Sequence, residues 1–88
     1  MRIKGEFLLR EVAGEILAIP VGNTALKFNG MICFNAVSEL IWKGLQAGES
    51  KDSILNRILE AYEVTREEAS ADLEEFLSRL RENDLLED

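Results

Sequence analysis

The stretch Phe28-Asn29-Gly30-Met31-Ile32-Cys33-Phe34-Asn35 decides how this chain is read. It runs from a turn, through a four-residue apolar strand (Met31 to Phe34), into a helix N-cap at Asn35. A strand this short, coming last in a small sheet, can keep an open edge. Such an edge is a row of main-chain N–H and C=O groups that an extended peptide can satisfy. Strand side chains alternate, so Met31 and Cys33 face one side of the sheet and Ile32 and Phe34 the other. One pair must serve the core; the other is covered by a helix or left for a ligand.

Upstream of this stretch, Phe7 to Val12 reads as a strand, Ala13-Gly14 as a turn and Glu15 to Ile19 as a second strand, together a hairpin. Pro20 has no N–H to give to a ladder and ends the second strand. Residues 22–30 hold Gly22, Asn23, Asn29 and Gly30 and read as a connection. Asn29-Gly30 also fits a tight hairpin turn between Leu26-Lys27-Phe28 and Met31-Ile32-Cys33. The preferred alternative pairs residues 31–34 with the second strand, with Phe28 anchoring the connection.

Downstream, Asn35 caps a helix running to about Ala47, in which Val37, Leu40, Ile41 and Leu45 recur at helical spacing and Gly48 supplies the stop. Ser50 caps a second helix with Ile54, Leu55, Ile58, Leu59 and Tyr62 in one stripe. Thr65-Arg66-Glu67-Glu68 is a capping box for a third helix, reaching about Asn83, with Ala69, Leu73, Phe76, Leu77 and Leu80 on one face. Leu85-Leu86 can tuck back onto the core. Three strands followed by three helices indicate an α+β domain, and a chain of 88 residues is one domain.

The composition, 47% hydrophobic and 31% charged, is that of a globular protein. The formal charge of −7 is unevenly placed: residues 1–48 sum to +1 and residues 49–88 to −8. An acidic C-terminal half repels nucleic acid, whose affinity rests on Lys and Arg, and attracts basic partners. With one cysteine, no intrachain disulfide can form, which fits a reducing cytoplasm. Cys33 reads as a small buried apolar residue. No apolar run approaches the ~18 residues of a membrane span, and no secretory signal is evident. The chain has no histidine and no glycine-rich phosphate loop, so catalysis is the weaker reading and neither cofactor nor metal is expected. Trp42 reads as a core anchor. Phe76, at the edge of its stripe, is a candidate groove-lining residue. Asp72 and Glu75, one turn apart beside the stripe, are either an exposed face or partner contacts.

Taken in order, Leu9-Arg10-Glu11-Val12-Ala13-Gly14, Ile19-Pro20-Val21-Gly22, the Phe28 to Asn35 stretch, the Ile41-Trp42 helix, the Gly48 break, the Ile54 to Tyr62 helix and Asp72-Leu73-Glu74-Glu75-Phe76-Leu77 resemble the PqqD-like family over nearly the whole chain. These are the small peptide chaperones of pyrroloquinoline quinone (PQQ) biosynthesis and their relatives. The resemblance implies a winged helix-turn-helix-like domain with a three-stranded antiparallel sheet and three helices. It also implies a precursor-peptide recognition element: a module that binds the leader of a ribosomally made peptide and delivers it to a modifying enzyme, often a radical S-adenosylmethionine enzyme. The implied leader site is the third strand, Met31, Ile32, Cys33 and Phe34, and one side of the third helix, near Asp72, Phe76 and Arg79; the amphipathic pattern of that helix adds Glu75 as an alternative to Asp72 for a leader Lys or Arg, and Leu80 beside Phe76 as a wall for apolar leader side chains. Pyrroloquinoline quinone is one candidate product among those of the family.

Two rivals come from other classes. A winged-helix DNA-binding regulator shares the topology, but the helix from Arg66 to Asn83 holds three basic and six acidic groups, the wrong balance for a groove reader. A non-catalytic adaptor subunit of an enzyme complex would co-purify with its enzyme without any leader. An exposed strand edge can also pair with a second copy, which makes a homodimer an expectation to test.

Overall fold

Hydrophobic alternation, turn chemistry and three capped apolar stripes build most of what is seen. The computed structural model describes residues 1–28 and 30–87. Contacts gather it into two units, Gly5–Glu39 and a second made of Met1–Lys4 with the chain from Leu40 onward. Strand β1 (Arg2–Ile3) belongs to the second unit.

The first unit holds the larger sheet. Strands β2 (Phe7–Val12) and β3 (Glu15–Pro20) form an antiparallel hairpin in which Val12 faces Glu15. The two-residue turn has Ala13 at φ 54° and Gly14 at φ 84°, the all-positive geometry that matches strand twist. Strand β4 (Ile32–Phe34) lies antiparallel to β3, with Ile16 opposite Phe34, Leu17 opposite Cys33 and Ala18 opposite Ile32. The order is β2-β3-β4, so the pairing of residues 31–34 with the second strand is the one formed, over three residues.

The expected plain connection between β3 and β4 instead contains a short helix, α1 (Asn23–Lys27). The Thr24 hydroxyl accepts the Glu6 N–H at 2.7 Å, tying the turn to the start of β2. Five residues are too few for helical periodicity to show in a sequence. Because Lys27 is helical, the alternative hairpin strand at Leu26-Lys27-Phe28 does not form; its turn residue Asn29 lies outside the described residues. Phe28 does anchor the connection, its ring meeting that of Phe7 edge-on at 5.8 Å.

In the second unit, α3 (Lys51–Ala61) and α4 (Arg66–Glu82) follow the C-terminal part of α2 (Ala36–Gln46). Of the expected stripes, Ile41, Leu45, Ile54, Leu55, Ile58, Ala69, Leu73, Phe76, Leu77 and Leu80 are buried and Val37, Leu40, Leu59 and Tyr62 half-buried, while Trp42, the expected core anchor, is fully buried. Gly48 (φ 75°) ends α2, its N–H reaching the Leu45 carbonyl while the Glu49 N–H reaches that of Gly44, the paired bonds of a Schellman stop. Gly44 permits close helix approach: a Cβ there would lie 2.8 Å from Ile54 Cγ1.

Leu85 and Leu86 are buried, as expected, and Leu86–Glu87 forms β5, antiparallel to β1. The Lys4 N–H bonds the Leu85 carbonyl at 2.7 Å, and the Lys4 ammonium meets the Asp84 carboxylate at 3.0 Å. The architecture is therefore the expected α+β one with a three-stranded antiparallel sheet, extended by a fourth helix and by a two-stranded clasp of the chain ends.

Candidate functional site

Strand β4 is short because both its ends are constrained. Gly30, with φ 110°, precedes it. Asn35 follows it and turns the chain into α2, its Oδ1 accepting the Ser38 N–H at 2.8 Å. Three residues remain in strand form, and β4 is the last strand in the order. Among the described residues no further strand lies beyond it.

Its two faces separate as alternation requires. Phe34 is buried and Ile32 half-buried, on the same face as buried Ala18, whereas Cys33 is exposed. Met31, just ahead of the strand, is 57% exposed. The core pair is therefore Ile32 and Phe34. Cys33 is not the buried apolar filler its residue type suggested, because the register places it opposite Leu17 on the outer face.

The other sequence-derived candidates lie on α4, in the second unit. The helix starts where the capping box predicts, with the Thr65 hydroxyl accepting the Glu68 N–H at 3.1 Å. Asp72, Glu75 and Arg79 are exposed. Phe76 and Leu80 are 4% and 3% exposed and stand in the buried row with Leu73 and Leu77, so Phe76 packs as core in this structure. Glu74, next to Glu75, pairs with Lys51 at the start of α3. The N-terminal half of α4 thus presents a negative face to solvent.

A second strand edge was missed in reading the sequence. The order β2-β3-β4 puts β2 on the opposite border of the sheet. On its outer face Leu8 and Val12 are 51% and 52% exposed. The signal was available: a hairpin whose second strand pairs onward must leave its first strand at an edge.

Chemistry elsewhere is sparse. A solvent-open depression along α3, lined by Ser50, Asp52, Ser53, Asn56, Arg57 and Glu60, has polar walls, and its Arg57 is held by Glu49 at 2.7 Å. Among the described residues no three or more His, Cys, Asp or Glu side chains gather as metal ligands, and no helix is long and apolar enough to cross a membrane.

Comparison with known proteins bears on the fold and the family. Two solved structures share the fold. One, TbiB1 in complex with the TbiA(beta) leader peptide, is 25% identical, with a TM-score of 0.76 over 99% of this chain and 95% of that one. The other, lasso peptide synthetase B1 complexed with the leader peptide, is 20% identical, with a TM-score of 0.72 over 96% and 93%; at that identity the likeness speaks for the fold alone. A search of curated proteins found no match. The family model described as coenzyme PQQ synthesis protein D matches residues 16–86, from the second residue of β3 through the first residue of β5, and the chain is therefore a member of the PqqD family.

Proposed function

We propose that this chain is a non-catalytic recognition domain that binds the leader of a ribosomally synthesised precursor peptide and presents it to a modifying enzyme, a radical S-adenosylmethionine enzyme being the expected class. Residues 1–88 act as one domain, in the cytoplasm, with neither nucleic acid nor membrane as a partner. The observation that carries this reading is the terminal position of β4: three uncharged residues, Ile32, Cys33 and Phe34, at the border of an antiparallel sheet. Family membership and the leader-bound state of the 25%-identical structure support it.

In this reading the leader adds as a fourth strand beside β4. Main-chain bonds alone do not suffice. A three-residue edge offers about two to four outward bonds, each contributing about 1 kcal/mol net. A micromolar complex needs about 8 kcal/mol. The remaining ~4–6 kcal/mol corresponds to roughly 160–240 Å² of apolar burial, or two leader side chains. Those side chains set specificity, with Met31 an exposed apolar contact next to the strand. On α4, Asp72 or Glu75 is assigned to a leader Lys or Arg, and Arg79 to a leader carboxylate; the family resemblance supports Asp72 and Arg79, and the exposure of all three is compatible with the assignment. Phe76 and Leu80, being buried, support the helix from beneath.

The test is an N-methyl scan of the leader encoded beside the gene, titrated against the full chain. Strand addition predicts losses of about 5-fold at alternate leader residues and little change between them, because alternate N–H groups point away from the sheet. Uniform tolerance, or amide shifts that avoid residues 31–34, would refute the mode.

A further inference from the structure

The sheet has a second border, and its chemistry differs from that of the first. Along β2, residues Leu8, Arg10 and Val12 share the outer face with Leu17 and Ile19 of β3, while Leu9 and Glu11 share the other face with Ala18 and Ile16. Leu8 and Val12 are about half exposed although they flank a charged residue on a regular strand. Among the described residues no strand lies outside residues 8–12.

A second copy is a poor occupant. In a two-fold antiparallel pair the axis stands perpendicular to the sheet, so opposed residues lie on the same face and have the same parity. Arg10 and Glu11 therefore never face each other. Centred on Leu9, such a pair sets each Arg10 against Leu8 and each Glu11 against Phe7; centred on Arg10, it sets arginine against arginine. Glu11 meets no base in any symmetric register, and Arg10 meets an acid only in the one centred on Leu8, where its partner Glu6 lies outside β2 and Glu11 falls opposite Gly5. A different chain can compensate both, with an acid opposite Arg10 and a base opposite Glu11, while its apolar residues meet Leu8 and Val12.

We propose that the outer border of β2 is the docking edge for an extended segment of the modifying enzyme, a segment that reads apolar, basic, acidic, polar, apolar when laid antiparallel to Leu8–Val12. This rests on the leader-presenting role proposed above. It gives that role a geometry within the sheet: the leader joins at β4 and the enzyme at β2, on opposite sides of β3, so neither displaces the other.

The probe is acetyl-Thr-Val-Lys-Asp-Thr-Val-Thr-amide, titrated at millimolar concentration into the 15N-labelled full chain, beside a control peptide with its Lys and Asp exchanged. The expected result is amide shifts in residues 7–12 that are absent from residues 32–34, with the control about 5-fold weaker. A doubly substituted chain, R10E with E11K, reverses the preference between the two peptides and leaves leader binding unchanged. No shift in residues 7–12, equal affinity for both peptides, or a preference unmoved by the double substitution overturns the proposal. A leader titration on the same sample separates the two readings. Failure of the leader to perturb β4 sinks the leader role whatever the probe does; failure of the probe with the leader still bound sinks only the β2 dock.

Discussion

Replacing Gly44 with alanine should destabilise the protein, against the rule for helix interiors. In an exposed helix this change gains about 1 kcal/mol, because glycine has the greater backbone entropy to lose. Here the new methyl carbon would lie 2.8 Å from Ile54 Cγ1 and 3.2 Å from Ile54 Cδ1. Carbon atoms rest at about 3.5–4.0 Å, so roughly 0.7 Å or more must be found. Ile54 is fully buried on α3, and a β-branched side chain in a helix has one strongly preferred χ1. Its Cγ1 cannot swing aside; the helices must part or the rotamer strain, at about 1–3 kcal/mol. The balance is a net loss of about 1 kcal/mol, or roughly 4–8 °C in Tm for a domain of this size. Urea unfolding followed by circular dichroism reads it directly. The companion variant I54A removes the obstructing atoms and leaves a cavity, at about 2–5 kcal/mol. In the double variant the methyl introduced by G44A occupies part of that space, so the combined loss should fall short of the sum by about 1 kcal/mol. If G44A raises stability, or if the two changes simply add, the close approach of α2 and α3 does not exist as described.

Three other outcomes are expected. Ala13 holds φ 54° in the β2–β3 turn, so Ala13→Asn should raise stability by about 0.5–1 kcal/mol in thermal melts. Asp84 ends α4 at φ 56°, and its pair with Lys4 joins two well-exposed side chains. Asp84→Gly should therefore also stabilise, by about 0.5 kcal/mol, since relief of the left-handed strain exceeds the contribution of a surface pair. Cys33 is exposed on β4, so its reaction with a thiol reagent should slow severalfold when the leader is bound; an unchanged rate under saturating leader would speak against strand addition there.

Much of the fold is written in local pattern. The three long helices announce themselves by stripes and by caps: Asn35, Ser50 and Thr65 each accept the N–H three residues on, at 2.8, 3.1 and 3.1 Å. These are short-range effects, readable because cap and helix are neighbours in sequence. What stayed hidden depends on distance or on brevity. The clasp of Arg2–Ile3 with Leu86–Glu87 joins the chain ends through strands of two residues, too short for alternation to register. Helix α1 is one turn long, held by Thr24 rather than by an apolar face. The faces of β4 could not be assigned because Met31 and Cys33 are as apolar as Ile32 and Phe34; only the register against β3, with Ala18 opposite Ile32, separates them. Phe76 was ambiguous for a similar reason, since a residue at the margin of a stripe is placed by tertiary packing and not by its spacing.

The two borders of the sheet differ in how well each suits the leader proposed to bind at β4. Proteins guard exposed strand edges with charge, with brevity or with cover. Strand β2 is six residues long and carries Arg10 and Glu11 in its course; an arbitrary extended peptide meets a buried-charge penalty there unless its own charges match. Strand β4 has no charge and relies on brevity, with Gly30 before it and the Asn35 cap after it. A three-residue edge is too small to seed sheet growth, while in the proposed mode it orients a peptide whose side chains supply the rest. Lengthening β4 should therefore increase self-association before it improves recognition. If disrupting the Asn35 cap with N35A, at about 1 kcal/mol, leaves leader affinity intact and the protein monomeric at high concentration, brevity is not what keeps this edge available.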